Sequence, residues 1–79
     1  MVMKISFSYH ALIKLEQRKI SKKLVIETAL YPDFIKPSYN FREERCRYYG
    51  KNWLNVIVIK EGEEVIVVTA HWVAKIKRG

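Results

Sequence analysis

The first residues alternate. Met3 to Phe7 (MKISF) is short and has a period of two, which predicts a strand. Ser8 follows as the N-cap of a helix that the spacing of Ala11, Leu12 and Leu15 carries to about Lys19. Phe7 before the cap and Leu12 beyond it are placed as a hydrophobic staple. His10, Lys14, Gln17 and Arg18 fall on another face by i, i+4 spacing. Ser21 repeats the device, with Ile20 and Val25 as a second staple. This second helix runs to about Leu30 and Pro32 closes it. So short a connection predicts a helical hairpin.

After Pro32 the period changes from 3.6 to 2. Asp33 to Tyr39 reads as an extended segment that Pro37 confines to an edge or a bulge. Glu44 to Tyr49 (ERCRYY) alternates, with Arg45, Arg47 and Tyr49 on one face and Cys46 and Tyr48 on the other. Gly50-Lys51-Asn52 is a turn. Trp53 to Lys60 is apolar on both faces, as a central strand should be. Glu61-Gly62-Glu63 turns the chain into Glu64 to Val73, the last strand. Strict alternation puts Val65, Val67, Thr69 and His71 on one face and Ile66, Val68, Ala70 and Trp72 on the other.

The expected fold class is therefore α+β: a strand, then a two-helix hairpin packed on a three- to four-stranded antiparallel sheet joined as a meander. The helices must cover one sheet face. The other carries arginine and tyrosine and is expected to be open to a ligand or partner.

Length and charge narrow the function. Residues 1–79 make one domain with a basic tail from about 74 to 79 (Lys75, Lys77, Arg78). Hydrophobic residues make up 49% and aromatics 13%, enough for a small core and too many for a disordered chain. The net charge of +7 and a pI near 9.7 favour an anionic partner: nucleic acid, membrane headgroups or an acidic protein. A single cysteine, Cys46, excludes an internal disulfide and a multi-cysteine zinc module. The absence of a targeting segment predicts a cytoplasmic protein. Val65 to Ala74, the most apolar stretch, is about half a membrane span.

Six groups of residues are candidates for chemistry. His10, near a helix N-terminus that disfavours imidazolium, suits a general base; the alternative is a half-buried histidine bonded to a strand. Arg18, with Lys14 between it and His10, forms a phosphate stripe or a solvated helix face. Lys22 and Lys23 stand at the cation-disfavouring end of the second helix, as an anion site or a tolerated surface cost. Arg42, Arg45, Arg47, Tyr48 and Tyr49 make the densest basic-aromatic cluster, suited to phosphate contact and base stacking, though Glu43 and Glu44 could lock the arginines in salt bridges. His71 shares a face with Thr69; with no carboxylate constellation nearby it makes a poor metal site. Cys46 reads as a small core residue.

Ser8-Tyr9-His10-Ala11, then Arg18-Lys19-Ile20-Ser21, Ala29-Leu30-Tyr31-Pro32, Arg47-Tyr48-Tyr49 and Val67-Val68-Thr69-Ala70-His71-Trp72 form an ordered set over roughly residues 5 to 73. That set resembles the domain-of-unknown-function family 4258, regarded as akin to the RelE/ParE toxins of type II toxin–antitoxin systems. The resemblance implies a RelE/ParE-like fold and a metal-independent, cofactor-free mRNA endonuclease, of a kind that often acts on ribosome-bound message. It also implies a cognate antitoxin. The family pattern lands on His10, Arg18, Tyr49 and Thr69.

The expected function is thus a toxin-like endoribonuclease. His10 would be base or acid, and Arg18 with Arg45 or Arg47 would stabilise the phosphorane. Tyr49 would stack on or orient the base, and His71 would be a second proton carrier if the sheet brings it near His10. A non-catalytic RNA-binding or protein-docking module on the same fold is the alternative. A homodimer or an antitoxin would cover an open sheet edge.

Overall fold

The computed structural model describes residues 4–74. In chain order the elements are β1 (Lys4–Phe7), α1 (Tyr9–Arg18), α2 (Lys22–Leu30), β2 (Phe34–Pro37), β3 (Arg42–Tyr48), β4 (Trp53–Glu61) and β5 (Glu64–Val73). Met3, expected in the first strand, and the tail residues Lys75, Lys77 and Arg78 lie outside the described residues.

Local chemistry sets the boundaries. The Ser8 hydroxyl accepts the Ala11 N–H at 3.0 Å and starts α1, and Lys19 ends it in the left-handed conformation (φ 54°). Ser21 occupies the N-cap of α2, but its side chain makes no cap bond. Asn40 and Phe41 turn β2 into β3. Gly62 (φ 57°) turns β4 into β5, where the first central position of a tight hairpin requires a positive φ.

The sheet has five strands in the order β1-β5-β4-β3-β2, which corrects the expected three- to four-stranded antiparallel meander. Strands β2 to β5 do form the meander, with β4 central and the Pro37 strand at an edge. Strand β1 adds to the other edge, parallel to β5, with Lys4 opposite Glu64 and Phe7 opposite Val67. The helical hairpin carries the chain from one sheet edge to the other. No short turn ties β1 to a neighbour, so packing chose its partner, and the sequence offered no register signal for it.

Both helices pack on one face. Ala11, Leu15, Ile20, Val25 and Ala29 bury against Leu54, Val56, Val58, Val65, Val67 and Ala70. A bulge interrupts the β4–β5 ladder: Val58 faces Val67, whereas Ile57 faces Thr69, leaving Val68 as the extra residue. The face assignment along β5 therefore changes after Val67. Ala70 and Trp72 join Val65 and Val67 on the helix side, while Thr69 and His71 lie on the bare side with Ile66. Alternation failed here because Val65 to Val68 are all β-branched and apolar, so no polar residue marks the slip.

Among the described residues no helix is long and apolar enough to cross a membrane.

Candidate functional site on the bare sheet face

The fold divides the expected basic-aromatic surface: Arg42 and Tyr48 lie on the bare face, in register with Ile59 and Trp53. Arg45, Arg47 and Tyr49 do share a side, but it is the side the helices cover. Arg45 is 7% exposed; its Nη1 donates to the Ala29 carbonyl and its Nη2 pairs with Glu43 at 2.9 Å. Arg47 donates to the Tyr31 carbonyl and lies 3.5 Å from Glu27. Both arginines satisfy carbonyls at the C-terminal end of α2, where unpaired acceptors and the negative helix end favour cations. The Tyr49 hydroxyl reaches Thr28 Oγ1 at 2.9 Å and Glu27 Oε1 at 3.1 Å, and its ring packs edge-on against Trp72. Burial pushes the Tyr49 phenol up, with Thr28 opposing and Glu27 adding to the shift. These three side chains clasp α2 to the sheet. Tyr49→Phe is accordingly expected to cost about 1 kcal/mol in urea unfolding and to leave any RNA cleavage unchanged; a fall in cleavage would restore its expected role in stacking.

The helix residues are spread along α1 as their spacing requires. At about 1.5 Å per residue, His10 and Arg18 stand roughly 12 Å apart along α1. His10 is exposed. Lys22 sits over the Phe7 ring, 5.5 Å from its centroid, and Lys23 is exposed. Lys14 is half-buried on α1.

A different set gathers on the bare face. Cross-strand register aligns Phe34, Cys46, Asn55 and His71 in one row and Lys36, Glu44, Ile57 and Thr69 in the next. Asn55 is 7% exposed; its Nδ2 donates to Glu44 Oε1 at 3.0 Å, and its Oδ1 lies 3.8 Å from the Cys46 sulfur. Arg18 reaches this group around the edge of β5. Strand β1 ends opposite Val67, so beyond it that edge of β5 has no strand beside it among the described residues. Arg18 Nη1 donates there to the Ala70 carbonyl at 2.8 Å and to Thr69 Oγ1 at 3.3 Å. The guanidinium fork carries further N–H donors.

Arg18 is thus the cation that acts on His71. Burial lowers the His71 pKa below 6.5 and the Arg18 cation lowers it further, while the Glu44 carboxylate works the other way. Burial and Arg18 thus favour the neutral imidazole, the form able to accept a proton. Once protonated, it is stabilised by Glu44.

Cys46 belongs to the same row but is chemically quiet. It is fully buried, and burial together with Glu44 raises its thiol to about 11, with Lys36 opposing. At pH 8 the thiolate fraction is on the order of 0.1%. Iodoacetamide should therefore label Cys46 at least tenfold more slowly in the native protein than in urea; equal rates would show the sulfur to be accessible. Among the described residues no three His, Cys, Asp or Glu side chains gather as a metal site.

Arg18 and His71 are legible as candidates in the sequence, whereas Glu44 and Asn55 are not. The turn at Gly50–Asn52 held the signal: it puts Tyr48 opposite Trp53, and hence Cys46 opposite Asn55.

Neither the curated proteins nor the solved structures hold a match to this chain. Residues 7–72, most of the chain, match the family model described as Domain of unknown function (DUF4258), and the protein belongs to that family.

Proposed function

We propose that the protein is a toxin-like endoribonuclease that cuts RNA without a metal on the bare sheet face. The observation that carries this reading is a half-buried His71 on the same face as Glu44, two residues from the Thr69 that Arg18 bonds, with its pKa lowered by burial and by Arg18. In the proposed reaction His71 takes the proton of a ribose 2′-OH. The O2′ forms a bond to phosphorus, the P–O5′ bond breaks, and O5′ takes a proton from solvent. The products are a 2′,3′-cyclic phosphate and a 5′-OH end. Arg18 offers charged donors to the phosphorane oxygens, and Glu44 stabilises the imidazolium as it forms. The net charge of +7 draws the polyanion in.

By the resemblance of this family to RelE/ParE toxins, we extend the proposal to messenger RNA, free or on the ribosome, and to an antitoxin as partner in the cytoplasm. His10, Tyr49, Arg45 and Arg47 have no part in this version of the chemistry.

The test is cleavage of naked and ribosome-bound mRNA, with and without a chelator, by wild type and His71→Ala. New 5′-OH ends that survive the chelator and need His71 support the proposal. No cleavage by wild type in either format sinks it. Binding without cleavage that is indifferent to His71 returns the protein to the non-catalytic RNA-binding alternative.

A further inference from the structure

The β2–β3 hairpin ends in a conformation its sequence should avoid. Asn40 (φ 54°) and Phe41 (φ 62°) are both left-handed, and the Arg42 N–H donates to the Tyr39 carbonyl at 3.1 Å. Positive φ at both central residues defines a type I′ turn. Asparagine suits the first central position. Glycine is the usual occupant of the second, because a Cβ there crowds the backbone. Phenylalanine is costly in that position. Nor does its ring repay the strain by packing, since Phe41 is 97% exposed and its neighbour Tyr39 86%. Neither the turn nor the core accounts for Phe41, so its ring is suited to a contact outside the fold.

We infer that Tyr39 and Phe41 form a stacking platform for a base of single-stranded RNA whose backbone continues across the bare sheet face. This inference rests on the RNA reading above and names a second contact for the same ligand. The chemistry of the tip favours RNA. Residues 36–42 (KPSYNFR) hold two cations and two aromatics and no acid. Lys36 and Arg42 lie on the bare face, in register with Glu44 and Ile59 respectively. Arg42 also keeps a buried Nε with no hydrogen-bond partner among the described residues. Rings flanked by cations meet a base and its phosphate together. The cations beside the rings and the net charge of +7 favour a polyanion over a protein partner.

Distance separates this platform from the chemistry. From Phe41 to the Cys46 row that holds His71 is roughly 17 Å along β3, so the stacked base lies several nucleotides from the cleaved bond. The tip therefore strengthens binding of longer RNA only.

The experiment compares wild type, Phe41→Gly and Phe41→Tyr. It measures the Tm of each, the affinity of each for a 2′-O-methyl RNA decamer that cannot be cut, and cleavage of a dinucleotide. Phe41→Gly should raise Tm by roughly 4–8 °C, because it relieves the turn. It should also weaken decamer binding by roughly 5- to 100-fold and leave dinucleotide cleavage unchanged. Phe41→Tyr should bind the decamer as wild type does. A Phe41→Gly protein that keeps full decamer affinity overturns the inference and assigns the tip to a protein contact, while the RNA reading stands. A fall in Tm overturns the strain argument and the inference with it. If wild type neither binds the decamer nor cuts any RNA, the RNA reading itself fails.

Discussion

His71→Ala should reduce RNA cleavage by about 10²- to 10⁴-fold, the usual loss when a positioned general base is removed. The side chain is half-buried on the bare sheet face and outside the core cluster, so the variant should keep its fold. The pH profile gives a sharper test. A neutral base works above its pKa, so kcat/KM should rise with pH through a midpoint below 6.5 and level off by neutrality. Arg18 lowers that pKa and Glu44 raises it. In an NMR titration of the imidazole, Arg18→Gln should therefore move the His71 midpoint up, and Glu44→Gln should move it down. The same shift affects stability. With the folded pKa depressed, the unfolded chain takes up protons first, so His71's contribution is complete above 6.5 and is lost as pH falls through the folded value. A His71→Ala enzyme that cuts within twofold of wild type, or a midpoint above 6.5, would remove His71 from the base's role.

The second large effect concerns a residue the sequence nominated for RNA contact. Arg45→Ala should destabilise the protein by about 3 kcal/mol, because it leaves the Ala29 carbonyl without its charged donor and strips Glu43 of its partner. For a domain of this size that is a Tm drop of roughly 12–24 °C. Had Arg45 been a phosphate ligand, the same change would leave Tm nearly unchanged and flatten the salt dependence of RNA binding by about one unit of slope. Thermal unfolding and a salt titration of affinity in the same buffer decide between the two. An unchanged Tm would free Arg45 from the clasp and return it to the RNA surface.

The pattern of residues was enough for most of the local structure. Ser8 before the apolar spacing of Ala11 and Leu15, and Pro32 after Leu30, bounded the helices, because caps and proline act through the nearest backbone groups. Alternation separated Arg45, Arg47 and Tyr49 from Cys46 and Tyr48, and the two-sided apolarity of Trp53 to Lys60 marked β4 as central. Short turns fixed the β3–β4 register in the same way.

Four things lay beyond that reach. Which face of β3 the helices cover follows from the crossover of the hairpin, and it turned the expected RNA-binding arginines into clasps on α2. The parallel pairing of β1 with β5 joins segments some sixty residues apart with no turn to set their register. Counting back from the Glu61–Glu64 pair without a break would set Asn55 opposite Ala70; the extra residue at Val68 puts His71 there instead. The approach of Arg18 to Thr69 and Ala70 depends on β1 stopping early and leaving an edge to be met. Sequence by itself determined the elements and the charge, because caps, turns and periodicity act over a few neighbouring residues. Only the tertiary structure decided which charged groups meet, because one bulged residue and one covered face reassign side chains from solvent to core.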